Sequence, residues 1–149
     1  MKPAPAALAA LLCTLSGWAC AGGGIEEAAD SEFIVDFDAE LHGRPGYPNV
    51  HGSARAVASL GNTAVTISIQ GVESGGSHPW HVHYGNCNSG GSIVGSPSSY
   101  PPLTPDEDGS DRVTTTISVQ LDDRTDYHVN VHLSAERSDV IIACGRLVD

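Results

Sequence analysis

His78-Pro-Trp-His-Val-His83 and His128-Val-Asn-Val-His132 are two short segments in which imidazole and apolar side chains alternate. Successive side chains of a β-strand point to opposite faces, so the histidines two or four residues apart in each segment share one face. The valines between them form the opposite, apolar face. The alternation therefore predicts two strands that bury their valines in a core and direct their histidines outward.

The same period of two recurs along the chain and predicts an antiparallel all-β fold, a Greek-key β-barrel or sandwich. Gly61-Asn62 predicts the tight turn of a hairpin. The Gly, Ser and Pro content of residues 85–109 predicts a long loop after the fourth strand, with Cys87 as its anchor. No segment has a sustained helical period. Strands are predicted at 33–41, 50–60, 63–70, 80–84, 112–121, 127–133 and 140–148.

The amino-terminal residues indicate an exported protein. Residues 1–21 combine one lysine with an Ala/Leu run too short to span a membrane, which is typical of an export signal. Cleavage after Ala21 and cleavage before a lipid-acylated Cys20, as in bacterial lipoproteins, both remain open. Residues 22–32 predict a flexible acidic tether, and residues 33–149 one domain. We therefore expect the periplasm or cell envelope, with a lipid anchor if Cys20 is acylated.

The charge of the chain limits its partners. The formal net charge is −11, and removal of Lys2 with the signal leaves six of the seven basic residues, all of them arginines. Nucleic acid and anionic membrane surfaces are poor partners for such a protein, so membrane contact is expected only through a lipid anchor. The sequence does not fix the oligomeric state, and a homodimer is compatible with it.

Two of the four cysteines belong to the predicted domain. Cys13 lies inside the signal and Cys20 at its edge, which leaves Cys87 and Cys144. In an oxidising, exported compartment two such cysteines most simply form one disulfide bond. The alternative, a Cys/His zinc site, needs more thiolates close together than this chain has.

The histidines of the two segments favour a metal site over incidental surface positions, because both pairs lie on predicted strands backed by apolar residues. Neutral imidazoles suit copper, zinc and nickel. The lack of paired thiolates or a local carboxylate cluster disfavours iron–sulfur, calcium and structural zinc sites. His42 and His51 lie beside glycines at strand ends, where a surface or hydrogen-bonding role is expected.

These motifs resemble the copper/zinc superoxide dismutase family, most closely its divergent exported bacterial relatives. The resemblance rests on His81-Val-His83 shortly before Cys87, on the late-strand His132, and on Ile142-Ala-Cys144-Gly-Arg-Leu, and it extends from about residue 33 onward. It implies a Greek-key β-barrel with the metal outside the wall. It also implies copper bound by the three histidines, a disulfide between the two cysteines, and redox cycling of copper on superoxide.

The chain also departs from the family in two places. The family's loop supplies a bridging histidine and further zinc ligands, whereas residues 88–111 contain no histidine, so copper without zinc is expected. His128, or less favourably His78, would then supply a fourth nitrogen. The family's guiding arginine is replaced by Ile141, which predicts weaker steering of superoxide. The sequence thus predicts a copper-dependent dismutase, or alternatively a non-catalytic copper-binding or structural cell-surface domain.

Overall fold

Seven β-strands make up most of the regular structure of residues 34–149, the part of the chain that the computed structural model describes. The predicted signal, the tether, Cys20 and Phe33 lie outside these residues. Within them, no helix is long and apolar enough to cross a membrane. The strands are β1 (Val35–Gly43), β2 (His51–Ser59), β3 (Asn62–Gln70), β4 (Trp80–Tyr84), β5 (Asp111–Ile117), β6 (Tyr127–His132) and β7 (Ile141–Leu147).

All neighbouring strands are antiparallel and form one sheet in the order β4-β6-β7-β1-β2-β3-β5, curled into a half-barrel. After β3, β4 and β5 the chain crosses between the β4–β6 side of the sheet and the β3–β5 side, in crossovers of the Greek-key type. The predicted all-β antiparallel fold is confirmed. Alternation explains β1 in particular, because every second residue from Val35 to Leu41 is buried.

The predicted hairpin of β2 and β3 is confirmed, but its turn begins one residue earlier than predicted. Ser59 pairs with Asn62, so the two turn residues are Leu60 and Gly61. Both have positive φ angles, 47° and 82°, as a type I′ turn requires. The twist of the paired strands therefore favours this turn even though leucine adopts the left-handed region at some cost.

The fifth strand is shorter than predicted because, beyond Ile117, hydrogen bonds to the Thr63 side chain replace the backbone hydrogen bonds of the strand pair. β5 ends at Ile117, and the Thr63 hydroxyl then donates to the Val119 carbonyl at 2.7 Å. The same hydroxyl accepts a hydrogen bond from the Leu121 amide at 3.1 Å. Leu121 therefore stays buried in the core without belonging to a regular strand.

The predicted long loop after β4 closes the gap between the two edge strands. The Val94 amide donates to the Val82 carbonyl of β4 at 2.9 Å, and the Thr115 hydroxyl of β5 donates to the Ser99 carbonyl at 2.6 Å. A single 3₁₀ turn, Pro97–Ser99, lies within this stretch. The half-barrel is thus completed by loop backbone.

β6 is buried on both faces. Its apolar face, Tyr127, Val129 and Val131, packs in the core as predicted. The face that carries His128 and His132 points away from the core, also as predicted, yet both histidines are buried. The loop after β4 lies over part of this face, because its Gly91 and Gly85 carbonyls accept hydrogen bonds from the rings of His83 and His128.

Cys87 and Cys144 form the disulfide bond that the sequence predicts. Cys144 is buried in β7, whereas Cys87 lies in the loop that covers the histidine face. The bond spans a sequence separation of 57 residues. It therefore fastens the start of the long loop to the sheet.

Removing this cross-link should destabilise the protein. The variant Cys87→Ala/Cys144→Ala is expected to lose up to about 4 kcal/mol of unfolding free energy, because a disulfide of this span restricts the unfolded chain. Urea unfolding followed by circular dichroism measures the loss, and reduced wild-type protein is the matched control. Equal stability of the variant and the oxidised wild type would contradict the assignment of a stabilising disulfide.

Candidate metal centre

The pairing of β4 with β6 brings three histidines together. In the register, His81 lies opposite Asn130 and His83 lies opposite His128. A register shift between Val131 and His132 marks a bulge, and bulges re-aim the side chains beside them. One ring nitrogen each from His81, His83 and His132 then lies within 4.8 Å of the other two. This group can hold a metal ion.

Each of these histidines also has a buried ring nitrogen without a hydrogen-bond partner among the described residues. The atoms are Nδ1 of His81, Nε2 of His83 and Nδ1 of His132. Buried polar atoms nearly always have partners, so unpaired ones call for an explanation such as an ion or a water molecule. An ion bound by the three lone pairs would satisfy all three atoms at once.

The loop backbone sets the tautomer of His83. Its Nδ1 lies 2.8 Å from the Gly91 carbonyl, and a carbonyl only accepts, so Nδ1 carries the proton. Nε2 is therefore left with a lone pair, as a metal ligand requires. Gly91 packs so closely on β4 that a Cβ there would lie 1.8 Å from the Tyr84 carbonyl oxygen. Glycine thus allows the loop to reach His83.

The two predicted candidates for a fourth ligand lie outside the three-histidine group. His128 Nδ1 donates to the Gly85 carbonyl at 3.0 Å, and its Nε2 lies 3.3 Å from the Asn130 amide nitrogen, so both ring nitrogens have partners. His78 Nδ1 donates to the His132 carbonyl at 3.3 Å. His128 stacks on His83, with ring centroids 5.2 Å apart. Both histidines therefore support the ligands' positions.

Burial lowers the pKa of two histidines of the group, His81 and His132. Desolvation, followed by the charges that His132 and His83 would carry, lowers the pKa of His81 to about 4. Burial also lowers the pKa of His132. A hydrogen bond with the Ser138 backbone opposes this shift in part. Neutral imidazoles bind metal ions without first losing a proton. His81 and His132 are thus already in the form that binds a metal ion at pH 7.

Two aromatic side chains pack near His81: Tyr100 contacts it, and Trp80 contacts Tyr100. The Tyr100 ring meets His81 edge-on at 5.3 Å, and its hydroxyl donates to the Val94 carbonyl at 2.7 Å. Trp80 also meets the Tyr100 ring edge-on, at 5.1 Å between ring centroids, and donates from Nε1 to the Pro101 carbonyl at 2.8 Å. Burial raises the pKa of Tyr100 to about 12, so its hydroxyl stays a donor. No local sequence pattern links position 100 to β4, so the contact between Tyr100 and His81 could not be predicted.

The surroundings of the group contain an aliphatic residue where the resemblance implies a cation. Ile141 is the register partner of His132, at the start of β7. Arg146 is on the exposed side of β7 and donates to Asp126 at 2.6 Å. His42 and His51 are exposed, as expected, and His51 donates from Nδ1 to the Asn49 carbonyl. Neither His42 nor His51 belongs to the three-histidine group.

Comparison with known proteins finds no family model that matches the chain and no similar curated protein. The resemblance to copper/zinc superoxide dismutases therefore stays a prediction from the motifs. The convergence of the three histidines stands independently of it, because it follows from strand register and burial.

Acid should destabilise the metal-free protein. The folded-state pKa of His81 is about 4, against 6.5 for the ordinary value, so between these values the unfolded chain binds a proton that the folded chain does not. The free energy of unfolding is therefore expected to fall as pH falls from 7 towards 4. His81→Gln should reduce this slope, measured by urea unfolding at several pH values.

The matched control is Val129→Ala, which removes core packing on the other face of β6 and should lower stability equally at every pH. The same slope in His81→Gln and wild type would show that His81 is not held neutral by burial.

Proposed function

We propose that this protein binds copper through His81, His83 and His132 and dismutates superoxide. The observation that carries the proposal is the convergence of three buried, unpartnered imidazole nitrogens in a group that contains no carboxylate and no thiolate. The motif resemblance to copper/zinc superoxide dismutases supports the same chemistry.

Copper is favoured by the donor type. Imidazole nitrogens suit copper, zinc and nickel, and among divalent first-row ions copper has the highest intrinsic affinity for such sites. Three neutral ligands also leave the charge of the bound ion uncompensated. A positive centre of this kind attracts a small anion such as superoxide even in an acidic protein.

When bound, copper would supply a one-electron couple, so that one superoxide is oxidised to dioxygen and the next is reduced, with two protons from water, to hydrogen peroxide. The protein's part is to hold the ligands still. The Gly91 carbonyl fixes the His83 ring, and the Tyr100 ring packs edge-on against His81. His81 is only half-buried, whereas His83 and His132 are buried, so solvent and a small anion would approach on the His81 side.

A second candidate is copper binding without turnover. Ile141 beside His132 provides no positive charge, and Arg146 is paired with Asp126. With a formal net charge of −11, the chain as a whole repels anions. These features favour storage or handling of copper over fast dismutation.

The disulfide supports export to an oxidising compartment, the periplasm or cell envelope of the sequence-based prediction. Thiols in the cytosol are normally kept reduced, so a bond that fastens the loop over the metal group would form reliably only after export.

Each ligand should be essential for binding. His81→Ala, His83→Ala and His132→Ala are each expected to weaken copper binding more than about 100-fold, because each removes a direct donor where loss of an outer partner alone costs 10- to 100-fold. Competition titration against a copper chelator measures the affinity. His51→Ala, at an exposed histidine, is the matched control and should bind like wild type. Wild-type affinity in all three ligand variants would rule out this site.

Copper-loaded protein should dismutate superoxide faster than the same concentration of free copper, and His83→Ala should abolish the excess. Decay of superoxide after pulse radiolysis measures the rate directly.

Replacing Ile141 with arginine should raise the rate at low ionic strength, since it places a positive charge beside His132. Tight, stoichiometric copper with no excess rate would instead establish the second candidate.

A further inference from the structure

We propose that the side-chain oxygen of Asn130 is the fourth donor to the metal ion bound by His81, His83 and His132. The proposal rests on the metal site proposed above and extends it with a residue type that neither the motif search nor the resemblance pointed to. It assigns the fourth position to an amide oxygen in place of a histidine nitrogen.

Asn130 occupies the centre of the histidine face. It lies directly across from His81 in the β4–β6 register and two residues from both His128 and His132 along β6. Only 5% of the residue is exposed. A polar side chain in this position, between two core valines, must find partners on the histidine face itself.

The Oδ1 atom of Asn130 is buried and has no hydrogen-bond partner among the described residues. Leaving such a buried acceptor unpaired is energetically costly. Five buried side-chain atoms share this condition in the described part of the chain, and four of them lie on this one face. They are Asn130 Oδ1 and the ring nitrogens of His81, His83 and His132, while the fifth is Nε2 of His78.

A cation explains all four atoms together. Amide oxygen and unprotonated imidazole nitrogen are acceptors, so they cannot satisfy one another by hydrogen bonding. A shared positive ion would bind to each lone pair. The fifth atom, His78 Nε2, packs instead against Gly76, where an added Cβ would lie 2.6 Å from it.

A hydrogen-bonded chain fixes which end of the amide is available. The Gly85 carbonyl can only accept, so His128 Nδ1 carries the proton and Nε2 has the lone pair. That lone pair accepts from the Asn130 amide nitrogen at 3.3 Å. The side-chain nitrogen of Asn130 is therefore hydrogen-bonded to His128, and Oδ1 remains available to a metal ion. His128 thus acts as a positioning residue for Asn130.

The chemistry of the oxygen suits this place. Copper(II) accepts mixed nitrogen and oxygen ligands, so an amide oxygen beside three imidazole nitrogens would suit it. Because the amide is neutral, it completes the donor set without cancelling the positive charge that would attract superoxide.

The test compares Asn130→Leu with wild type in full-length, disulfide-bonded protein titrated with copper(II) alone. Leucine has a similar shape and no donor atom. The copper(II) dissociation constant is expected to rise at least about tenfold, which corresponds to about 1.4 kcal/mol. The parallel g value and copper hyperfine splitting in electron paramagnetic resonance should change as the oxygen is lost.

Two further variants separate coordination from folding. Asn130→Asp retains an oxygen donor and should keep or increase the affinity, whereas Val129→Ala destabilises the same strand from its core face and should leave the spectrum unchanged. His128→Ala releases the amide and should shift the spectrum towards that of Asn130→Leu. Unchanged affinity and spectrum in Asn130→Leu would overturn this proposal while leaving the three-histidine site intact. Absence of copper binding by wild type would overturn the proposed function itself.

Discussion

The antiparallel pairing of β4 with β6 is the interaction on which the rest of the structure depends. It fixes which side chains share a face, because a slip of one residue would turn the histidines into the core and the valines out of it. With Val82 opposite Val129, the apolar residues meet on the core side and the imidazoles on the other. The fold and the three-histidine group therefore both follow from the register of β4 with β6.

The histidine face is unusual because it is polar and buried at once. Burying polar groups without partners is costly, and the covering loop provides partners for one nitrogen each of His83 and His128 through the carbonyls of Gly91 and Gly85. The disulfide between Cys87 and Cys144 holds this same loop on the sheet. The loop after β4 therefore contributes both to the stability of the fold and to the positions of the histidine rings.

Local alternation in the sequence was enough to predict the strands, the hairpin and the core faces, because these follow from neighbouring residues. Cysteine count and the expected compartment were enough to predict the disulfide. The sequence also predicted His81, His83 and His132, and the structure brings them together. The role of His128 could not be predicted, because it depends on a carbonyl 43 residues away. The proposed role of Asn130 was not predicted, although an asparagine between core valines is an unusual feature of the sequence.

The proposed dismutase activity and the proposed fourth donor both depend on a copper site formed by the three convergent histidines. A crystal structure of copper-loaded protein, with anomalous diffraction recorded on both sides of the copper absorption edge, tests it most directly. We expect a single anomalous peak within coordination distance of His81, His83 and His132, with Asn130 Oδ1 as its oxygen neighbour. No peak at these residues, or a peak bound by other side chains, would contradict the account.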